Sequence, residues 1–464
     1  MHDPVPAIQY VCLYCMMSCF CQSSIGAMGS LIGYSTKCAE RVISDGHISL
    51  IVNNLYSESK NHRKAALFAL KNLAKVSCTS SDAITADKRI IPGILAAIRD
   101  TDVSVRESGV WTLSYVVKRC PELAELAIES GCLPLIQSAL ENKQDLPLLR
   151  ISISLLGDIA RHNESLSEHI LQLDIVGILL EHTGHIDVGM RKQSTACLSQ
   201  LVKHTADQAA RIMSYPQFLH TMSTLLKDIN ITVRRNACII VRELCEGGAS
   251  LATSVVDFGF VPLLGSYMQE AAVEEKLPAI MCLGYIASHS DTMAKGLIVS
   301  NIIPTICNDL IEAHSDIVRS KLVWLLEQIG KHSADNCKSL NEHGALTRIL
   351  ALYMHANTSQ DLRDSSKQAF GVLIQNTTDC DVLDRLLAEV PMELRGFILD
   401  QLARELPNNM HAKKKFVQSG SLQRILSIKG TDDDLSDSIA QIRNCFPPEI
   451  LEFFEPSEIS RSSM

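Results

Sequence analysis

A short motif recurs along this 464-residue chain, pairing a basic or polar residue with a middle residue, often His, and then commonly Ser, Thr or Asn. It reads KVS at Lys75–Ser77, KRC at Lys118–Cys120, RHN at Arg161–Asn163 and KHT at Lys203–Thr205. It continues as EGG at Glu246–Gly248, SHS at Ser288–Ser290, KHS at Lys331–Ser333 and QNT at Gln375–Thr377. The middle residues, 76, 119, 162, 204, 247, 289, 332 and 376, are spaced by 42 to 44. Such a register requires one structural unit of about 42 residues, copied and stacked, because a unit of that size cannot bury its apolar face alone.

The interior of the unit is helical. Ten residues before each middle residue stand Ala66, Gly109, Ser152, Ser194, Ala237, Ala279, Leu322 and Ser366, all small except one. Six before stand Leu70, Leu113, Leu156, Leu198, Val241, Leu283, Leu326 and Phe370; three before, Leu73, Val116, Ile159, Leu201, Leu244, Ile286, Ile329 and Leu373. Offsets of ten, six and three share one face of a helix, so these columns are a buried stripe, and the small column allows close helix approach. Ile91-Pro92, Leu133-Pro134, Val261-Pro262 and Ile303-Pro304 keep the same period and mark helix starts, where proline forfeits no intrahelical bond. Gly46, Gly131, Gly259, Gly344 and Gly420 precede those starts, where a sharp turn is needed. Asn163, Thr205, Ser290 and Ser333 are placed to cap the next helix. Each unit is therefore a short helix followed by two longer ones, and the fold class is all-α, an α-solenoid of the armadillo type.

Three regions follow: residues 1–44, an incomplete first repeat with a Cys-rich segment; 45–390, the array; and 391–464, where the period fails after Pro391, a helical cap and polar tail. Sixteen cysteines without a basic-flanked leader read as reduced thiols, mostly isolated at apolar helical positions such as Cys197, Cys238 and Cys282. Cys12, Cys15, Cys19 and Cys21 cluster, yet only the first pair has metal-knuckle spacing, so an apolar helix rich in Cys is favoured over a metal site. The stretch Ile8 to Phe20 is too short to span a bilayer. A net charge of −9 argues against a nucleic-acid coat. Phosphate-loop, HExxH and GxSxG signatures are absent from the sequence, so no catalytic residues, cofactor, metal or small-molecule substrate is expected.

Positions eight, four and one before the middle residue lie opposite the buried columns, on the face that lines the groove of armadillo stacks. They read Phe68/Asn72/Lys75, Trp111/Tyr115/Lys118, Ser154/Asp158/Arg161, Ala196/Gln200/Lys203, Ile239/Glu243/Glu246, Met281/Tyr285/Ser288 and Trp324/Gln328/Lys331. His162, His204, His289 and His332 stand beside this ladder, about 10 Å apart by helix packing and too far for a shared ion. Two readings stay open: donors for an acidic partner, or cations favoured by helix C-termini. Trp111, Tyr115, Tyr285 and Trp324 are either interface anchors or residues half-buried at repeat junctions.

The stretches LPAIMCLGYIASHS at Leu277–Ser290, KKFVQSGSLQRILSIK at Lys414–Lys429 and CFPPEILEFF at Cys445–Phe454 add a resemblance. With KHT, KHS and LYM at Leu352–Met354, they make the chain, from about Ala27 to Phe454, similar to the sperm-associated antigen 6 family of armadillo proteins. That resemblance implies a right-handed superhelix of three-helix repeats acting as a non-catalytic scaffold at the central microtubule pair of motile cilia and flagella. Its partners would be other central-apparatus proteins and, beyond them, microtubules, in the cytoplasm and cytoskeleton. The competing expectation is a nuclear-import adaptor of the importin-alpha type, whose activity resembles a Trp-xxx-Asn array. Here Trp111 is followed at that spacing by Tyr115 and Trp324 by Gln328, and the face is basic, the wrong sign for a basic cargo.

Overall fold

The structure, a computed structural model, describes residues 22–76, 79–141, 145–427 and 433–454. The cysteine cluster at Cys12–Cys21, the stretch Ile8–Phe20 and the polar tail after 454 lie outside the described residues. Each middle-residue motif ends a long helix. These third helices are Lys60–Val76, Val103–Val117, Leu146–Ala160, Val188–Leu201, Ile231–Glu246, Leu277–His289, Asp316–Gly330 and Gln360–Gln375. Every residue of the three apolar and small columns is buried in them. At the small column, a methyl on Gly109 would lie 3.1 Å from the Ile98 backbone nitrogen, so two helices touch there almost backbone to backbone.

The punctuation acts as the residues require. Pro92, Pro134, Pro262 and Pro304 fall in the first turns of Ile90–Ile98, Cys132–Glu141, Phe260–Glu270 and Ile303–Glu312. Asn163, Thr205, Ser290 and Ser333 each accept a backbone N–H three residues on, at 2.8, 3.3, 3.2 and 3.4 Å. Between the first and second helices the backbone turns left-handed, at Gly131 with φ 87° and Gly259 with φ 93°. In the units without a glycine, Asp174, Gln217 and Asn301 adopt the same conformation, with φ of 51°, 62° and 56°. Asp and Asn tolerate it because their short polar chains bond locally.

The chain forms two compact units, Met1–Gly247 and Gly248–Met464. In the first, the helix Gln22–Tyr34 packs on Lys60–Val76, and each third helix then packs on the next as far as Ile231–Glu246. In the second, Leu277–His289, Asp316–Gly330 and Gln360–Gln375 stack in the same way. There the stacking passes Pro391: Met392–Glu405 packs on Gln360–Gln375 and on Asp433–Arg443. The helix Cys380–Glu389 runs almost directly into Met392–Glu405, so this unit has dropped its second helix and with it the 42-residue period. Among the described residues, no single helix is long and apolar enough to cross a membrane.

Candidate functional site

In the first unit the outward face of the third helices is polar and aromatic. Trp111 is 39% exposed and stacks on Tyr115, with ring centroids 6.2 Å apart and planes at 30°. The Lys118 ammonium lies 3.6 Å from the Asp158 carboxylate, which also accepts the Ser114 hydroxyl at 2.6 Å. Lys203 donates to the Gln200 side chain at 3.0 Å and to the Arg161 carbonyl at 2.5 Å. Burial, then the neighbouring Arg161 guanidinium, lowers the Lys203 pKa; burial, then Lys75, lowers that of Lys71. The face thus carries two pairs of like cations close enough to repel, an arrangement that gains free energy when an anion lies across them.

In the second unit the aromatic residues of the same columns pack across neighbouring helices. Trp324 meets Tyr285 edge to face at 5.3 Å and 71°, and the Lys321 ammonium sits 5.9 Å above its ring. A methyl on Gly284 would overlap the indole, so the absence of a Cβ is what lets Trp324 lie on the neighbouring helix. Phe68 over Gly29 and Phe397 over Gly371 repeat the arrangement. Gln328 is buried, 8% exposed, and accepts from the half-buried Lys331 at 2.6 Å, the same bond that Gln200 makes with Lys203. The physical reason is local: Lys331 follows the last helical residue, Gly330, and folds back along its own helix, toward the negative end of the dipole.

The histidines have a definite role, and it is not toward the groove. His162 Nε2 donates to the Val117 carbonyl at 2.7 Å, His204 Nε2 to Ala160 at 2.6 Å and His332 Nε2 to Ala287 at 2.7 Å. Each acceptor is near the C-terminal end of the preceding third helix, where carbonyls lack intrahelical partners. Arg119 donates to the Ala74 carbonyl and Asn376 to the Lys331 carbonyl from the same position. The recurring middle residue is therefore a staple between repeats. Burial lowers the His204 pKa, keeping the ring neutral with its proton on Nε2. His289 is half-buried at the equivalent position.

A second column escaped the sequence reading. Thirteen residues before the middle residue stand Arg63, Arg106, Arg191, Arg234, Lys276, Arg319 and Arg363. Arg63 donates to the Ser57 and Glu58 carbonyls at 2.8 Å and pairs with Asp100 of the next unit at 2.7 Å. Arg191 donates to the His185 and Ile186 carbonyls and grips both oxygens of Asp228 at 2.7 and 3.1 Å. Lys276 pairs with Asp309 at 2.7 Å. These cations tie the loop entering one third helix to the next unit, at the opposite end from the histidines. The alternation was visible as a basic residue at constant offset, but it lies on the buried side of the helix start, where charge is not expected.

Comparison with known proteins bears on both fold and lineage. No family model matches the chain. A crystal structure of an engineered protein superposes with a TM-score of 0.69, covering 86% of this chain and 98% of its own, at 17% identity. That likeness is one of fold. Both units are armadillo-repeat stacks. Over 148 residues the chain is 30% identical to sperm-associated antigen 6 of Mus musculus, and equally to that of Homo sapiens. The match covers 32% of this chain and 29% of each relative, a narrower span than the resemblance drawn from Ala27 to Phe454. Importin subunit alpha-8 of Arabidopsis thaliana is 21% identical over 265 residues, 56% of this chain and 47% of its own length. The chain is an armadillo-repeat protein similar to sperm-associated antigen 6.

Proposed function

We propose that this chain is a non-catalytic protein-interaction scaffold of the ciliary or flagellar axoneme, placed at the central microtubule pair, where it supports central-apparatus integrity and motility. The observation that carries the interaction reading is the face of the first unit. There Trp111 and Tyr115 stack on the helix that Lys118 caps, and Arg161 and Lys203 hold the matching column positions of the next two repeats. An exposed aromatic anchor with cations along the same columns suits an acidic segment of a partner protein. The axonemal placement rests on the similarity to sperm-associated antigen 6.

A tagged chain expressed in a flagellated cell should line the axoneme; diffuse nuclear signal without axonemal signal would exclude the placement. Reversing Lys75 and Arg161, both exposed, to Glu should release the chain from isolated axonemes without lowering its melting temperature. Retention at wild-type level in low salt would exclude an acidic partner on this face. The longer alignment with importin subunit alpha-8 favours a second reading, a nuclear-import adaptor. Against it stand Tyr115 and Gln328 in place of asparagine, the latter buried, and the basic sign of the face.

A further inference from the structure

The groove columns of the first unit extend one turn further toward the helix starts. Lys192 and Arg235, twelve residues before the middle residue, share a helix face with Ala196 and Ile239, four residues on. Lys192 is half-buried and Arg235 exposed; at the other end of the groove, Arg161 is exposed and Lys203 half-buried. Among the described residues, none of these four cations is in an ion pair. Lys203 donates only to uncharged oxygens, the Arg161 carbonyl and the Gln200 side chain. Arg150, the counterpart of Lys192 one repeat earlier, stands 3.6 Å from Asp187, and Glu246 takes the place of Lys203 one repeat later. The unpaired charges therefore run diagonally, from the end of Leu146–Ala160 across Val188–Leu201 to the start of Ile231–Glu246.

Between the two ends the floor is Ala196 and Ile239, both half-buried. The polar residues next to it are already bonded within the chain. Asp158 accepts the Ser114 hydroxyl, Gln200 bonds Ser199 and Lys203, and Glu243 pairs with Arg242. An extended segment laid here would bring an N–H and a C=O at each residue and find no ladder of partners beneath them. An α-helix satisfies its own backbone and asks only for side-chain contacts. The two cation ends are eleven residues apart along a helix, about 16 Å, which leaves room for a second helix about 10–12 Å across. With third helices about 8–10 Å apart, the diagonal over three of them is about 24 Å, the length of about sixteen helical residues.

We infer that the groove of the first unit takes an acidic amphipathic α-helix of about sixteen residues from a partner protein. Small apolar residues of that helix seat on Ala196 and Ile239, and its carboxylates meet Arg161 and Lys203 on one flank and Lys192 and Arg235 on the other. The helix is the acidic segment already assigned to this face, so the site rests on that reading and adds its conformation and its path.

The test is fluorescence anisotropy of the full chain with a labelled peptide of that length, alanine and leucine along one face and glutamate on both sides. Saturable binding that weakens with added salt is expected. Lys192→Gln with Arg235→Gln should weaken it about tenfold, with Lys192→Gln alone intermediate. Neither side chain is in an ion pair, so the melting temperature should not move. Lys227→Gln, an exposed cation outside the third helices, should leave binding unchanged. The same peptide with proline at its centre keeps its charge, loses its helix and should bind about tenfold more weakly or worse. Lysine in place of glutamate should abolish binding. Equal binding of the proline peptide, or binding insensitive to the paired change, would overturn the inference and still leave an acidic partner on this face. Binding by neither acidic peptide, or equal binding of the lysine peptide, would overturn both.

Discussion

Trp111 and Trp324 occupy the same position in their repeats, yet one stands over a third exposed and the other lies against a neighbouring helix. The difference is set three residues further along the helix face, in the preceding repeat. Before Trp324 that residue is Gly284, which opens a slot for the indole; before Trp111 it is Lys71, whose ammonium covers Phe68 at 5.1 Å instead. A repeat pattern thus fixes where a side chain starts, while the neighbouring repeat decides where it ends. The same comparison separates interaction residues from packing residues on a face that looks uniform in sequence.

Substitutions can break or sharpen that contrast. The largest effect is expected at the joints of the first unit. Arg191→Ala leaves the half-buried Asp228 with the Asn230 amide but without its cation and should cost about 3 kcal/mol in urea unfolding of that unit. Burial alone would raise the Asp228 pKa, but the Arg191 and Asn230 hydrogen bonds hold it below its ordinary value. Its contribution is therefore present above about pH 4 and is lost as pH falls through the folded value; in Arg191→Ala that acid-limb loss should shrink.

Trp324→Ala should cost about 3 kcal/mol and Trp111→Ala about 1 kcal/mol or less, read from the same denaturation curves. Equal costs would show that both rings are packing residues. Gly284→Ala must push the indole out of its slot and should cost about 2 kcal/mol, whereas Gly177→Ala, with open space around it, should be neutral or slightly stabilising. A modest effect belongs to the staple shared by both units. His204→Ala should cost about 1 kcal/mol at pH 7.5. Because burial lowers the folded His204 pKa, stability holds above about pH 6.5 and falls as pH drops through the folded value, since a buried ring must then take up charge while still donating to Ala160. His204→Asn, which copies Asn376, should keep the bond and abolish that pH dependence.

Much of the fold was legible because its signals are local. Columns at helical spacing, proline at helix starts and Ser, Thr or Asn caps each act within a few residues of where they are read. Three features were not. Asp174, Gln217 and Asn301 make the left-handed turn without glycine, so a search for glycine passes over them. The unit after Gln375 drops a helix, which looks in sequence like the end of the repeats although the third helices go on stacking. The histidines and the Arg63–Arg191 column satisfy carbonyls and carboxylates up to 45 residues away, and such a bond leaves only periodicity as its trace. Among the groove columns, the hydrogen bond between Gln328 and Lys331 is a contact that sequence spacing alone does not reveal.

The two stitches lie at opposite ends of each long helix, and that has a mechanical consequence. Where both are present, as where Arg119 reaches back to Ala74 and Arg63 pairs with Asp100, prying the helices apart at one end still leaves the other to resist. Between Val188–Leu201 and Ile231–Glu246 the middle position is Gly247, which has no side chain to reach back, while Arg191 still grips Asp228 at the far end. A joint sewn along one edge swings about that edge. Bending strain in the first unit collects there, and amide exchange near Leu201 and Glu246 should outpace that at the doubly stitched joints.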